Sequence, residues 1–333
     1  MTIFILTKYW GRNYTGATLA TQYLSKEWVK LGCKIVVFTL NTGEYEENEQ
    51  IVVIKKSSMS EILDAIQEYR ANEKETIVGY SDDHLGYNFT KVLLPYYHTY
   101  HGNWPDAKKV SPEMWLKSYY FIPLYKKTIK KAKGIINVSK HMESFTSQFN
   151  PKSLVIHNGI ELKQIIHEEE ERKNFLMVGN IDERKYGLLN ELAIKLYGKN
   201  KNIMIHIYGR EIDGRLVSNL KKLENVCIMG EKKEIPYSSY KGLINTSKIE
   251  NLSISVCEAI KYQTPVFCFR VGGLPEVVEN NRTGFVFDCF DIEKMTDAIS
   301  KYQSSEQLNI PKDVLADFSW DVAAQNYIDY MNQ

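Results

Sequence analysis

Gly242-Leu243-Ile244-Asn245-Thr246-Ser247-Lys248-Ile249-Glu250-Asn251-Leu252-Ser253-Ile254-Ser255-Val256-Cys257-Glu258-Ala259-Ile260 opens on an uncharged apolar run and closes on an apolar-periodic segment. The first reads as a buried parallel strand, the second as a helix. Strand, short turn and helix make an anion site. The first N–H groups of a helix lack partners within it, carry partial positive charge, and face the carboxyl edge of an open sheet, where ligands bind. Glu250 and Glu258 lie eight residues apart, which on a helix is roughly 12 Å along the axis and about 80° of rotation. They fall on one side, well separated. Carboxylates ~5–9 Å apart suit glycoside hydrolysis; a wider pair suits gripping both ends of an extended ligand. A lone pair at this spacing is more often a helix-terminal charge and a solvated one.

Outward from this run, strand-like stretches alternate with helix-length ones. Ile3–Leu6, Lys34–Phe38, Ile51–Ile54, Thr76–Tyr80, Tyr96–His101, Gly134–Val138 and Leu154–Ile156 precede it in one series. Asn174–Gly179, Ile203–Gly209, Val226–Gly230, Gly242–Asn245 and Pro265–Phe269 form a second. Repeated βα units predict an α/β chain with two doubly wound parallel sheets and a cleft between them. Four consecutive Glu between His167 and Arg172 mark the join. The expected organisation is an N-terminal acceptor-side domain over 1–160, an acidic linker over 161–172, a ligand domain over 173–310, and a helical segment over 311–333 packing back toward the first domain.

Composition excludes several classes of protein. With 333 residues there is chain for two cores, and a net charge of +1 provides no global field for nucleic acid. Five scattered cysteines without C-x-x-C spacing fit buried thiols in a reducing cytosol. Met1–Thr7 lacks the basic start of a signal peptide. No uncharged apolar run approaches the ~18 residues of a membrane span, so bilayer contact would be peripheral.

Candidate site residues gather at predicted strand ends. The turn Tyr9-Trp10-Gly11-Arg12-Asn13-Tyr14-Thr15-Gly16 follows the first strand, where a phosphate or an acceptor would meet backbone N–H groups. It is not G-x-G-x-x-G, so a nicotinamide fingerprint is absent. Asp82-Asp83-His84 and His101-Gly102-Asn103-Trp104 end two further strands. The acidic pair with His84 has metal-binding chemistry, yet nothing nearby completes a coordination sphere. His101 alone is more often structural than catalytic. Between Lys108 and Lys152, ten Lys and two Glu interleave with Trp115, Tyr119, Tyr120, Phe121 and Tyr125. This pattern fits either a solvated helix face or peripheral contact with an anionic membrane through 108–133. Pro123 argues against one uninterrupted helix there.

As a set, these residues resemble the GT-B fold retaining glycosyltransferases of family 4. Val178-Gly179-Asn180-Ile181-Asp182-Glu183-Arg184-Lys185-Tyr186-Gly187 is similar to the family's V-G-R-x-x-x-x-K-G loop, and Glu250 to Glu258 to its E-x7-E. Gly272–Glu276 resembles G-G-x-P-E, Thr283-Gly284 the later T-G, and Asn158-Gly159-Ile160-Glu161 the N-G-V-D hinge. His101-Gly102 and Ser139 match first-domain motifs. The chain departs at Asn180, where the family has arginine, and at Asn251-Leu252-Ser253, where it often has G-F-G.

The resemblance implies two Rossmann-like domains and transfer of a hexose from a nucleotide diphosphate sugar, uridine-linked, to an acceptor hydroxyl with retention. It implies no cofactor and no metal. Glu258 would bind the ribose, Lys185 the diphosphate with Arg184 standing in beside Asn180, and Glu250 with the Asn251 and Leu252 N–H groups the sugar. Gly16 would lie near the phosphates, and His101, with Glu250 and Lys185, at the reaction centre. Tyr9, Trp10, Arg12, Asp82, Asp83, His84 and Trp104 are acceptor-side candidates. The implied acceptor is a glycan, lipid-linked or small, in bacterial surface-glycan synthesis, with the enzyme in the cytoplasm or on the inner membrane face. A non-catalytic scaffold subunit and a nucleotide-sugar epimerase are the alternatives on the same fold.

Overall fold

Ile3, Phe4, Ile5 and Leu6 are fully buried at the centre of β1 (Thr2–Trp10), as expected of a strand covered on both faces. The computed structural model describes residues 1–11, 16–46, 48–160, 172–302 and 308–333. Around β1 a sheet is built from β2 (Lys34–Thr42), β3 (Ile51–Lys55), β4 (Ile77–Ser81), β5 (Tyr96–Tyr100), β6 (Gly134–Asn137) and β7 (Ser153–Val155). Its order is β3-β2-β1-β4-β5-β6-β7, with every pair parallel.

A second parallel sheet follows, from β8 (Phe175–Val178), β9 (Ile205–Tyr208), β10 (Val226–Gly230), β11 (Gly242–Asn245), β12 (Val266–Phe269) and β13 (Gly284–Phe287). Its order, β10-β9-β8-β11-β12-β13, repeats that of the first. Both are Rossmann-like sheets, and each has one switch point where the winding reverses: β1 beside β4, and β8 beside β11. The chain divides into Met1–Gly159 with Asp317–Gln333, and Ile160–Ala316.

The helix Trp320–Met331 closes the first unit. Its Tyr327 ring lies 5.7 Å from Trp28 and 6.2 Å from Tyr80, all three buried. Tyr97 donates from its hydroxyl to the Met331 carbonyl at 3.1 Å.

Three local expectations need correction. β1 runs on through Tyr9 and Trp10, because both register with β2; the turn therefore starts at Gly11. Trp10 is 3% exposed and packs in the core, so this acceptor candidate offers no side chain to a ligand. The helix Pro112–Lys131 passes through Pro123 without a break. Pro123 sits on its exposed face, where the carbonyl deprived of an N–H partner is hydrated rather than buried. Arg12, Glu161 and the rest of the acidic linker up to 171 lie outside the described residues.

Candidate functional site

At the second switch point, the chain leaves β8 through Gly179-Asn180-Ile181 into the short helix Glu183–Tyr186, capped by Asp182, whose carboxylate accepts from the Lys185 N–H at 3.0 Å. From β11 it leaves through Thr246 and Ser247 toward Glu250. Two bonds stitch these loops together: Thr246 Oγ1 donates to the Lys185 carbonyl at 2.7 Å, and the Lys248 N–H to the Arg184 carbonyl at 2.8 Å. They bring Lys185 Nζ to 3.7 Å from Glu250 Oε2. Both side chains keep some exposure, 21% and 14%.

Two glycines permit this approach. Gly179 has φ +134°, and a Cβ there would lie 3.0 Å from Lys185 Nζ. Gly272, at φ +54°, is more constrained: a Cβ would lie 1.6 Å from the Glu250 carbonyl oxygen. The Gly273 N–H then donates to the Asn251 carbonyl at 2.9 Å. The G-G-x-P-E segment is thus the floor on which the Glu250 loop rests.

Glu250 and Glu258 do not share a helix. The helix is Ile254–Lys261, so only Glu258 is helical and the rise calculated for a common axis does not apply. Ser253 begins this helix, and no side chain caps it. Glu250 Oε1 accepts from the Asn251 N–H at 3.3 Å, and Leu252 buries its side chain. Asn180 sits beside Gly209 at the end of β9. Arg184 pairs with Asp182 at 3.3 Å.

Glu258 has a partner that sequence reading missed. Tyr237 donates to its Oε2 at 2.6 Å, stacks on Tyr262 at 5.7 Å, and has its carbonyl held by Thr264 Oγ1 at 2.8 Å. Burial and the Glu258 charge push the Tyr237 hydroxyl well above its ordinary pKa, so it remains a donor at neutral pH. Twenty-one residues separate the two, and no local spacing announces the contact.

At the first switch point, Thr21 Oγ1 donates to Asp82 Oδ2 at 2.8 Å, the Lys8 N–H to Asp83 Oδ2 at 2.6 Å, and the Leu85 N–H to Asp83 Oδ1 at 2.7 Å. Burial raises both carboxyls, Asp83 to about 7 with the Asp82 charge adding to the effect. These bonds tie the end of β4 to β1, to the helix Gly16–Lys30 and to the turn that follows. Among the described residues no three His, Cys, Asp or Glu side chains gather to hold a metal.

His101 follows β5; burial lowers its pKa to about 4 and that of neighbouring His98 to about 3, so both are neutral at pH 7. His84 lies against the edges of Phe121 and Tyr125 at 5.3 and 5.9 Å. Trp104 stacks on Phe121 at 4.3 Å. Tyr9 lies under Lys8 Nζ at 5.1 Å. Among the described residues, a Cβ on Gly16 would meet nothing within 4 Å. Ser139 caps the helix Lys140–Thr146, accepting from the Met142 N–H at 3.3 Å.

Residues 158–313 match the family described as Glycosyl transferases group 1, and residues 80–164 match Glycosyltransferase Family 4. A glycogen synthase of Thermodesulfovibrio yellowstonii is 29% identical over 99 residues, 28% of this chain. The chain spans only 20% of that relative. Sucrose-phosphate synthase of Thermosynechococcus elongatus has the same fold, with a TM-score of 0.82 at 18% identity over 100% of this chain and 99% of that one. Anabaena Alr3699/HepE in complex with UDP-glucose gives 0.76 at 14% identity, over 100% and 99%.

Proposed function

The chain belongs to the GT-B glycosyltransferases of the family-4 type, and from that premise we propose that it moves a hexose from a UDP-linked donor to an acceptor hydroxyl with retention. The observation that carries this reading is the approach of Lys185 to Glu250 at the second switch point, beside a helix start that no side chain caps. A diphosphate draws Lys185 away from Glu250, and its charge is met by the ammonium and by the helix N–H groups. Glu250 is then released to the sugar hydroxyls, and Glu258, held by Tyr237, grips the ribose. The Anabaena neighbour, bound to UDP-glucose, supports uridine.

Negative charge builds on the leaving diphosphate as the glycosidic bond breaks, and the leaving phosphate itself takes the acceptor proton. Fixed positive groups at that position lower the barrier without a protein base. Lysine and helix dipole suffice for this, so transfer persists in a chelator such as EDTA. Neutral His101 serves as a hydrogen-bond donor or acceptor to a hydroxyl rather than as a charge. The acceptor is a surface glycan or its lipid-linked precursor, handled on the cytoplasmic side.

Lys185→Ala and Glu250→Ala each lower turnover at least ~100-fold, the scale of a lost transition-state contact. A radiolabelled transfer assay over a panel of nucleotide sugars measures this, and proton NMR of the product reads the anomeric configuration. Near-normal turnover of both variants removes the assignment. UDP binding without transfer to any acceptor supports the scaffold reading, and donor isomerisation supports the epimerase.

A further inference from the structure

The outer stripe of the helix Pro112–Lys131 changes character at Pro123. Before it, Trp115, Leu116, Tyr119 and Tyr120 are exposed by 50, 67, 65 and 65%. After it, Lys126, Lys127, Lys130 and Lys131 line a groove of about 330 Å³ with Pro123. At about 100° per residue all nine side chains fall in one sector of roughly 160°, opposite the buried Ser118, Tyr125, Thr128 and Ile129. Aromatic rings hold several of the ammonium groups: Lys127 Nζ lies 3.9 Å from the Tyr87 centroid, and Lys126 and Lys130 lie 4.9 and 5.6 Å from that of Phe149. Among the described residues none of the four has an ion pair. Glu113 is the sole acid between 108 and 133, against eight lysines, and it is paired to Lys117.

The two halves also differ in position. The helix connects β5, which ends at the carboxyl edge of the sheet, to β6, which starts at the amino edge. Its aromatic half therefore lies toward the edge that carries His101 and Trp104, and Ser118 Oγ donates to the Trp104 carbonyl at 3.3 Å. The lysine half lies toward the opposite edge.

We propose that this stripe is a bilayer-docking face, with Trp115, Leu116, Tyr119 and Tyr120 entering the headgroup–acyl boundary and the four lysines resting on anionic headgroups. Amphipathic Trp and Tyr favour that boundary, and lysines near it are drawn to anionic lipid. No helix among the described residues is long and apolar enough to cross a membrane, so contact is peripheral. A single-stranded nucleic acid would need aromatic and basic groups interleaved along its track; here they form two blocks. Docked this way, the aromatic end of the helix sits deepest and brings the carboxyl edge of the first sheet toward the membrane surface, where a lipid-linked acceptor presents its sugar. The proposal is independent of the donor assignment.

Flotation of the full chain with phosphatidylglycerol-rich vesicles, against phosphatidylcholine alone, tests it. The wild type floats with the first and not the second. Lys126→Ala with Lys130→Ala lowers partition about 25-fold, at about fivefold per lysine. Brominated acyl chains quench tryptophan fluorescence in the wild type, and Trp115→Tyr abolishes the quenching while flotation persists. Wild type that stays with the soluble fraction overturns the proposal, as does undiminished flotation of the double lysine variant or quenching that survives Trp115→Tyr. Binding to polyuridylate without binding to vesicles assigns the face to nucleic acid and equally overturns it. UDP affinity, measured on the same variants and unchanged, separates this outcome from failure of the donor site.

Discussion

The two sheets share a strand order and differ at the point where each reverses. In the first, β1 and β4 are locked by the buried Asp82 and the partly buried Asp83, whose bonds go to Thr21, Lys8 and Leu85. In the second, the segments that follow β8 and β11 carry Lys185 and Glu250, whose charged ends lie 3.7 Å apart and keep some contact with solvent. Topology supplies a concave edge in both places. The two edges differ in how far the protein itself engages the polar groups there. Asp83 has both oxygens engaged by backbone N–H groups and Asp82 has one oxygen bonded, by Thr21; Lys185 has one long contact, 3.7 Å to Glu250.

That contrast is open to attack, first through activity against stability. Lys185→Ala costs the ~100-fold in turnover given above but no more than about 1 kcal/mol of stability, because a partly exposed pair contributes little. Thr21→Val is expected to do the reverse, leaving Asp82 buried without its hydroxyl donor at a cost of about 1–3 kcal/mol, with UDP affinity unchanged. Calorimetric unfolding and UDP titration of the two variants decide it; a Thr21→Val chain as stable as the wild type shows that the first switch point is not the structural one.

The next effect is smaller and depends on pH. The folded chain holds the Asp83 proton up to about pH 7, whereas an unfolded aspartate releases it near 4. The native state therefore binds more protons between these values. This contribution to stability is complete below about 4 and is lost as the pH rises toward 7. Asp83→Asn removes the Asp83 share of that slope and leaves only what the buried Asp82 carboxyl contributes, so across the window the variant gains stability relative to the wild type, whatever constant offset the amide introduces. Parallel midpoint-versus-pH curves for the two chains contradict the burial argument.

The smallest effect concerns Tyr237. Tyr237→Phe removes one hydrogen bond to Glu258 and weakens UDP binding about five- to tenfold, with turnover at saturating donor close to normal. Unchanged UDP affinity separates Tyr237 from the ribose grip.

Much of this was readable in the amino acids. Continuous apolar runs such as Ile3–Leu6 and Val266–Phe269 mark strands covered on both faces, and their alternation with helical segments is enough for a doubly wound sheet. The motif around Lys185 and the pair Glu250 and Glu258 stand out because glycines and charges sit at strand ends. Asp82 and Asp83 are equally conspicuous, yet the hydrogen-bond partners of a strand-end carboxylate cannot be read from its own position. Here they include Thr21 and Lys8, sixty-one and seventy-five residues away. Trp10 and Pro123 misled for a related reason: register with β2 and the orientation of a solvent-facing turn are properties of the assembled structure.

The helix Trp320–Met331 bears on the order of events during synthesis. The second unit is continuous in the chain, while the first is split, its Trp28 and Tyr80 rings covered by a helix translated after Ala316. A nascent polypeptide can complete the later unit while the earlier one still lacks a wall, leaving that aromatic surface to the care of chaperones until Tyr327 emerges. Fragments ending near residue 316 inherit the same unfinished wall and are expected to aggregate when expressed.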